Sequence, residues 1–114
     1  MERGITIKFS RHASLDYDRI SLYLTEDVYQ FQAEQNFSKA IEALLRNLTA
    51  FPKMGSVYDD GRCLSREYRR INADRYRVFY VYLEDKAEVE IHRILAGMAD
   101  HTIFIKDETQ MYDA

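Results

Sequence analysis

The segment RYRVFYVYL, residues 75–83, is apolar on both faces from Val78 onward. A strand with one face in water alternates apolar and polar side chains. This one does not, so the sequence predicts a central strand with neighbours on both sides. Turn signals flank it: INADR before and LEDKAE after read as hairpin connections. They join it to a short strand, EYRRIN (67–72), and to a longer one, EVEIHRIL (88–95). Strict alternation in the longer strand places Val89, Ile91, Arg93 and Leu95 on one face, and Glu90, His92 and Ile94 on the other.

The first half of the chain supplies a covering layer. ITIKF (5–9) alternates Ile5, Ile7 and Phe9 with Thr6 and Lys8, the pattern of a half-buried strand. Ser10 offers a capping hydroxyl to a following helix. In that helix Ala13, Tyr17, Ile20 and Leu24 form the apolar face, with Asp16, Asp18 and Arg19 assigned to solvent. Asp27 and Gln30 have the spacing of a capping box, and a second helix is predicted from about Val28 to Ala50. Its stripe runs through Ala33, Phe37, Ala40, Ile41, Leu44, Leu48 and Phe51, and FPKMG ends it at Pro52. Two amphipathic helices across a short link favour an antiparallel hairpin, because neither stripe can be buried alone. Residues 56–67 are polar, with DDG (59–61) as a turn. The expected fold class is α+β, in the order β-α-α-β-β-β, with the helical hairpin on one face of a mostly antiparallel sheet. Residues 1–105 are read as a single domain and 106–114 as a frayed tail; HTIFI (101–105) suits an added strand or a short helix.

Charge is unevenly spread. The net charge is −3, yet residues 62–77 hold six arginines against Glu67 and Asp74, a local +4 that leaves −7 on the rest. Arg66, Arg69, Arg70, Arg75 and Arg77 are the candidate anion- or partner-binding residues. An acidic chain with one basic stripe is unsuited to coating nucleic acid, since its long-range field repels phosphate, but it can bind anions locally. The plain alternative is an edge strand whose arginines discourage edge-to-edge pairing. No apolar run reaches the roughly 20 residues of a membrane helix, and the N-terminus lacks a secretory apolar stretch. A cytoplasmic protein is expected. Cys63 is the single cysteine, and three histidines without short spacing give no metal signal. Gly55, Gly61 and Gly97 are isolated, so no phosphate loop is present and no cofactor is expected.

The order of elements resembles the RelE/ParE superfamily of small bacterial toxins from type II toxin–antitoxin systems. Three passages carry the resemblance: ASLDYDRISLYL (13–24), the second-helix stripe closed by FPKMG, and RYRVFYVY followed by VEIHRIL. It covers residues 5 to about 105. It implies a concave basic surface on the uncovered sheet face. RelE-like members cleave messenger RNA in the ribosomal A site, whereas ParE-like members poison DNA gyrase; fold alone does not choose between them. A cognate antitoxin is the implied partner, in a hetero-oligomer with the toxin and with no membrane involved.

RNA cleavage needs positioned acids, bases and cations. By resemblance, Arg77 occupies the place of a phosphate-stabilising arginine, and Arg69 and Arg70 lie near a strand that carries basic residues in RelE-like members. The motif after the last strand departs from the family: many members read roughly Leu-His-Gly-Arg-Arg-Asp, and this chain reads LAGMAD (95–100). Ala96, Met98 and Ala99 replace ionisable groups, and Phe104 stands where RelE-like members carry a tyrosine; Tyr112 substitutes only if the tail folds back. His101 is the best-placed acid/base candidate, His92 lies on the same strand face as Glu90 and is assigned a cross-strand polar contact, and His12 belongs to a first helical turn. Tyr76, Tyr80 and Tyr82 share a strand face and are expected to cover the helices. The expected function is a ParE-like toxin for plasmid stabilisation that acts by binding. The alternatives are a RelE-like ribonuclease using Arg69, Arg70, Arg77 and His101, and an inactive remnant that only binds a partner.

Overall fold

The computed structural model describes residues 4–27, 31–59, 61 and 66–97. Strand β1 (Thr6–Phe9) leads into helix α1 (Arg11–Leu22). Ser10 caps α1 as expected: its Oγ accepts from the Ala13 amide at 3.0 Å and itself donates to the His92 carbonyl at 2.9 Å. A π-helical turn, Tyr23–Asp27, ends the first helical arm, and α2 spans Phe31–Ala50. Gln30, half of the expected capping box, lies outside the described residues. Strands β2 (Ser56–Val57), β3 (Tyr68–Ala73), β4 (Tyr76–Leu83) and β5 (Glu88–Ala96) follow.

The five strands form one sheet in the order β1-β5-β4-β3-β2. β1 runs parallel to β5, and the other neighbours are antiparallel. The α+β class and the central place of β4 are therefore as the sequence indicates. β2 is an addition, since two residues are too few to display a period. The β3–β4 turn puts Asp74 at φ 57°, and the β4–β5 connection puts Ala87 at φ 50°, a left-handed conformation costly for a side chain with a Cβ.

Both faces of the sheet carry buried side chains. On one face Ala13 and Leu24, together with Phe37, Ile41, Leu44 and Leu48 of α2, pack against Ala73, Val78, Tyr80, Val89, Ile91 and Ile94. Tyr76 and Tyr82 join this cluster, so the expected tyrosine face does cover the helices. Tyr17 and Tyr76 flank Phe37 with ring centroids 5.0 and 4.9 Å away. On the opposite face Tyr58, Tyr68, Phe79, Val81 and Leu95 form a second cluster. Phe79 is 0% and Tyr68 1% exposed. The face the resemblance implies to be an open concave surface is thus closed at its centre. The apolar alternation of β4 is the physical reason: Phe79 and Val81 face away from the helices and still have to leave water.

Three sequence expectations need correction. Asp16 is not on the solvent side but 5% exposed, because Arg93 reaches it across the end of β1. Phe51 is not part of the buried stripe; it lies past the end of α2 and is 67% exposed. The two faces of β5 also change phase. Phe79 pairs with Arg93 and Tyr80 with Ile91, so the pairing skips His92, and this bulge turns Ile94 to the same side as Val89 and Ile91.

Candidate functional site

The five candidate arginines separate. In the β3–β4 ladder Arg70 pairs with Phe79 and Asn72 with Arg77. Directly opposed residues project to the same face, and residues two apart on a strand do too, so Arg70, Asn72 and Arg77 stand together. Phe79 belongs to the second cluster, which fixes this as the side away from the helices. β2 pairs only with Arg69 and Arg70, so from Ile71 onward that edge of β3 has no strand partner among the described residues. A pocket of about 300 Å³ opens there, walled by Met54, Gly55 and Ser56 and lined by Arg70, Ile71, Asn72 and Arg77.

Neither Arg70 nor Arg77 forms an ion pair with a described residue. Two arginines that line one polar pocket and have no ion pair with a described residue favour an incoming anion there, and the planar guanidinium fork suits a carboxylate or phosphate. The Ser56 hydroxyl and the Asn72 amide are further polar groups at the rim. Ser56 and Asn72 were absent from the sequence-derived set. The signal for Asn72 was the two-residue step from Arg70 across a hairpin from Arg77, which becomes readable once the turn is placed at Asp74–Arg75; Ser56, on a two-residue strand, gave none.

Arg69 faces the other way. Its Nη1 donates to the carbonyls of Lys53 and Gly55 at 3.1 and 2.8 Å, and its Nη2 to Glu67 Oε1 at 2.9 Å. Arg66 lies 3.5 Å from Glu90 Oε1. Arg75 is exposed in the β3–β4 turn, and its carbonyl accepts from the Gly97 amide at 3.3 Å.

Tyr80 braces the pocket wall from within the core. Its hydroxyl donates to the Pro52 carbonyl at 2.9 Å and accepts from the Gly55 amide at 2.9 Å. Burial raises its pKa above the ordinary tyrosine value, against the opposing pull of the Gly55 amide and Arg69. Gly55 is required by crowding: a Cβ there would stand 2.9 Å from the Arg70 carbonyl oxygen and 2.9 Å from Tyr80.

His92 shares a strand face with Glu90, as the sequence suggests, and its polar contact with Glu90 runs along β5 rather than across the sheet. Its Nε2 is 3.2 Å from Glu90 Oε1, and its ring meets Tyr68 edge-on at 5.2 Å. His12 is exposed in the first turn of α1. His101, Phe104, Tyr112, Cys63 and the Met98–Asp100 end of LAGMAD lie outside the described residues. Among the described residues no group of three metal-ligating side chains converges, and no helix is long and apolar enough to cross a membrane.

Known proteins place this geometry. The fold is similar to that of the chromosomal ParDE toxin–antitoxin system of P. aeruginosa, with TM-score 0.58 and 16% identity over 81% of this chain and 95% of that one. It is similar to an E. coli RelE toxin variant in the free state, at TM-score 0.56 and 12% identity over 96% of this chain and 99% of that one. The intact E. coli RelBE toxin–antitoxin complex matches at TM-score 0.52 and 13% identity, covering 83% and 99% of the two chains. At such identities these likenesses speak for the fold alone. No curated protein matches the sequence. The sequence itself matches the family model of the ParE toxin of the type II toxin–antitoxin system, parDE, over residues 7–100. With nearly the whole sheet and both helices inside that match, the chain belongs to the ParE toxin family of type II toxin–antitoxin systems.

Proposed function

We propose that this chain is a cytoplasmic, growth-inhibiting toxin of a plasmid-stabilisation type, acting by binding a target such as DNA gyrase and neutralised by a cognate antitoxin. One observation carries the reading: Arg70 and Arg77 both line a polar pocket of about 300 Å³ without an ion pair to any described residue. An acidic segment of a protein partner suits that pocket, because a carboxylate can take a guanidinium fork while the net charge of −3 works against an RNA-rich surface. The antitoxin is the partner assigned to this pocket, in a hetero-oligomer with the toxin. Membership in the ParE family supports binding over RNA cleavage.

Ribosome-dependent messenger RNA cleavage and gyrase supercoiling, assayed side by side, test this reading. The expected result is gyrase inhibition with trapped cleavage complexes and no codon-associated RNA cleavage. General acid–base groups typically contribute about 10²- to 10⁴-fold, so their loss leaves cleavage slow or undetectable. RNA cleavage that disappears in a His101→Ala variant would overturn the binding reading in favour of a ribonuclease. Inactivity in both assays, with tight capture of the neighbouring gene product, would mark a remnant that only binds its partner.

A further inference from the structure

We infer that Arg69 is a positioning residue: from the helix-facing side of β3 it fixes the Met54–Ser56 wall of the Arg70–Arg77 pocket and so sets that pocket's affinity for an acidic peptide. The inference rests on reading the pocket as the binding site of an acidic partner segment. Arg69 and Arg70 are neighbours in sequence and point to opposite faces, so one contacts the ligand while the other holds the surface it meets.

Between α2 and β2 the chain is otherwise held by the Met54 amide on the Phe51 carbonyl at 3.1 Å and by an exposed Lys53–Glu84 ion pair at 3.6 Å. β2 contributes only the Ser56 and Val57 pairings to the sheet. A two-residue strand at a sheet edge is a weak anchor. Arg69 supplies the missing restraint with one nitrogen: Nη1 reaches the Lys53 and Gly55 carbonyls at 3.1 and 2.8 Å. Glu67, 2.9 Å from Nη2, holds the guanidinium plane from the other side. The Arg69 side chain is only 15% exposed, and its shortest contact, with the Gly55 carbonyl, is part-buried, while those with Lys53 and Glu67 are open to solvent. Tyr80 completes the latch through Pro52 and Gly55. Together they satisfy the carbonyls of Pro52, Lys53 and Gly55 and the amide of Gly55. The wall they set then stands against Arg70, whose carbonyl is 2.9 Å from where a Gly55 Cβ would be.

A lysine at this position keeps the charge but loses the rigid planar fork that holds two carbonyls and a carboxylate at once. That difference separates positioning from plain electrostatics. If Arg69 acted by its charge, Arg69→Lys would bind like the parent chain. If it acts through geometry, Arg69→Lys and Arg69→Gln weaken binding alike.

The test is fluorescence anisotropy with a labelled hexaglutamate peptide at several salt concentrations, at a temperature where thermal melts show every variant folded. Arg70→Gln and Arg77→Gln should each weaken binding by about tenfold or more and flatten its salt dependence, since each removes a charge-assisted contact. Arg69→Lys and Tyr80→Phe should weaken binding by about three- to tenfold with the parent's salt dependence retained, because both contact charges remain. If Arg69→Gln does not fold, Arg69→Lys and Tyr80→Phe carry the comparison. A lower melting temperature with unchanged affinity in Arg69→Lys and Tyr80→Phe would make the latch purely structural and overturn the inference. So would parent-like affinity in Arg69→Lys beside weak binding in Arg69→Gln, which would indicate charge alone. Parent-like binding by both Arg70→Gln and Arg77→Gln, or no binding by the parent chain, would overturn the pocket reading and this inference with it.

Discussion

Arg93 grips Asp16 with two nitrogens, Nε at 2.7 Å from Oδ2 and Nη2 at 2.9 Å from Oδ1, while the same carboxylate takes the Ile94 amide at 3.0 Å. The contact explains why α1 can bury a charge. β1 stops opposite Ile91, so the β5 edge beyond it needs another acceptor, and Asp16 provides one. Asp16→Ala removes this carboxylate from a largely buried guanidinium and from a strand amide. Removing one member of such a pair costs about 3–5 kcal/mol. Urea unfolding should show that loss, with Asp16→Asn milder because it retains an acceptor; a change below about 0.5 kcal/mol would place the pair among ordinary surface contacts.

Leu44 and Leu48 of α2 are 4% and 0% exposed. Truncating either to Ala should cost about 2–5 kcal/mol. Phe51→Ala, past the helix end, should stay within about 0.5 kcal/mol. A large effect at Phe51 in the isolated chain would contradict its exposed position.

Gly55→Ala forces a methyl group against the Arg70 backbone and the Tyr80 ring. Overpacking of this kind costs about 1–3 kcal/mol, readable as a lower denaturation midpoint. A neutral outcome would mean that the wall yields freely and that its latch is weak.

Stability at high pH should report the buried phenols. The pKa values of Tyr76 and Tyr80 are both raised by burial. The folded chain therefore holds those protons more tightly than the unfolded one. Their contribution is full below the ordinary tyrosine pKa of about 10 and is lost as pH climbs from there through the folded values. Unfolding free energies measured between neutral pH and pH about 11 should fall at the alkaline end, and Tyr80→Phe should make that fall shallower. An unchanged alkaline slope in Tyr80→Phe would show that its hydroxyl is not held protonated by the fold.

Arg77→Ala should abolish or sharply reduce growth inhibition while changing folding stability by no more than about 0.5 kcal/mol. Toxicity and thermal unfolding measured on the same variant separate the two roles. Full toxicity from an unstable variant would make Arg77 a structural residue.

The helices, the centrality of β4 and the tyrosine face were legible in sequence because each rests on a period repeated several times. Asp16 was misplaced because a helical wheel shows polarity but not a partner 77 residues away. Ile94 was misplaced because one skipped residue, His92, reverses every later assignment on its strand. Arginine clustering could not distinguish Arg70 and Arg77 from Arg69, since adjacent strand residues take opposite faces. Gly55 and Tyr80 gave no sequence signal as a unit, because their contact joins residues far apart in the chain.

The parallel pairing of β1 with β5 also determines when this protein can exist during its own synthesis. Ser10 caps α1 and at the same time donates to His92, 82 residues later, and Thr6 through Phe9 have no strand partner until Glu88 through Ile91 have been made. Closing so long a loop is slow, and it has to precede the contacts that reward it. A growing chain with both helices and β2 to β4 already outside the ribosome still lacks the strand that joins its first residues to its sheet. Folding therefore waits until β5 has been made, so truncated products released before β5 should be incapable of holding the arginine pocket together.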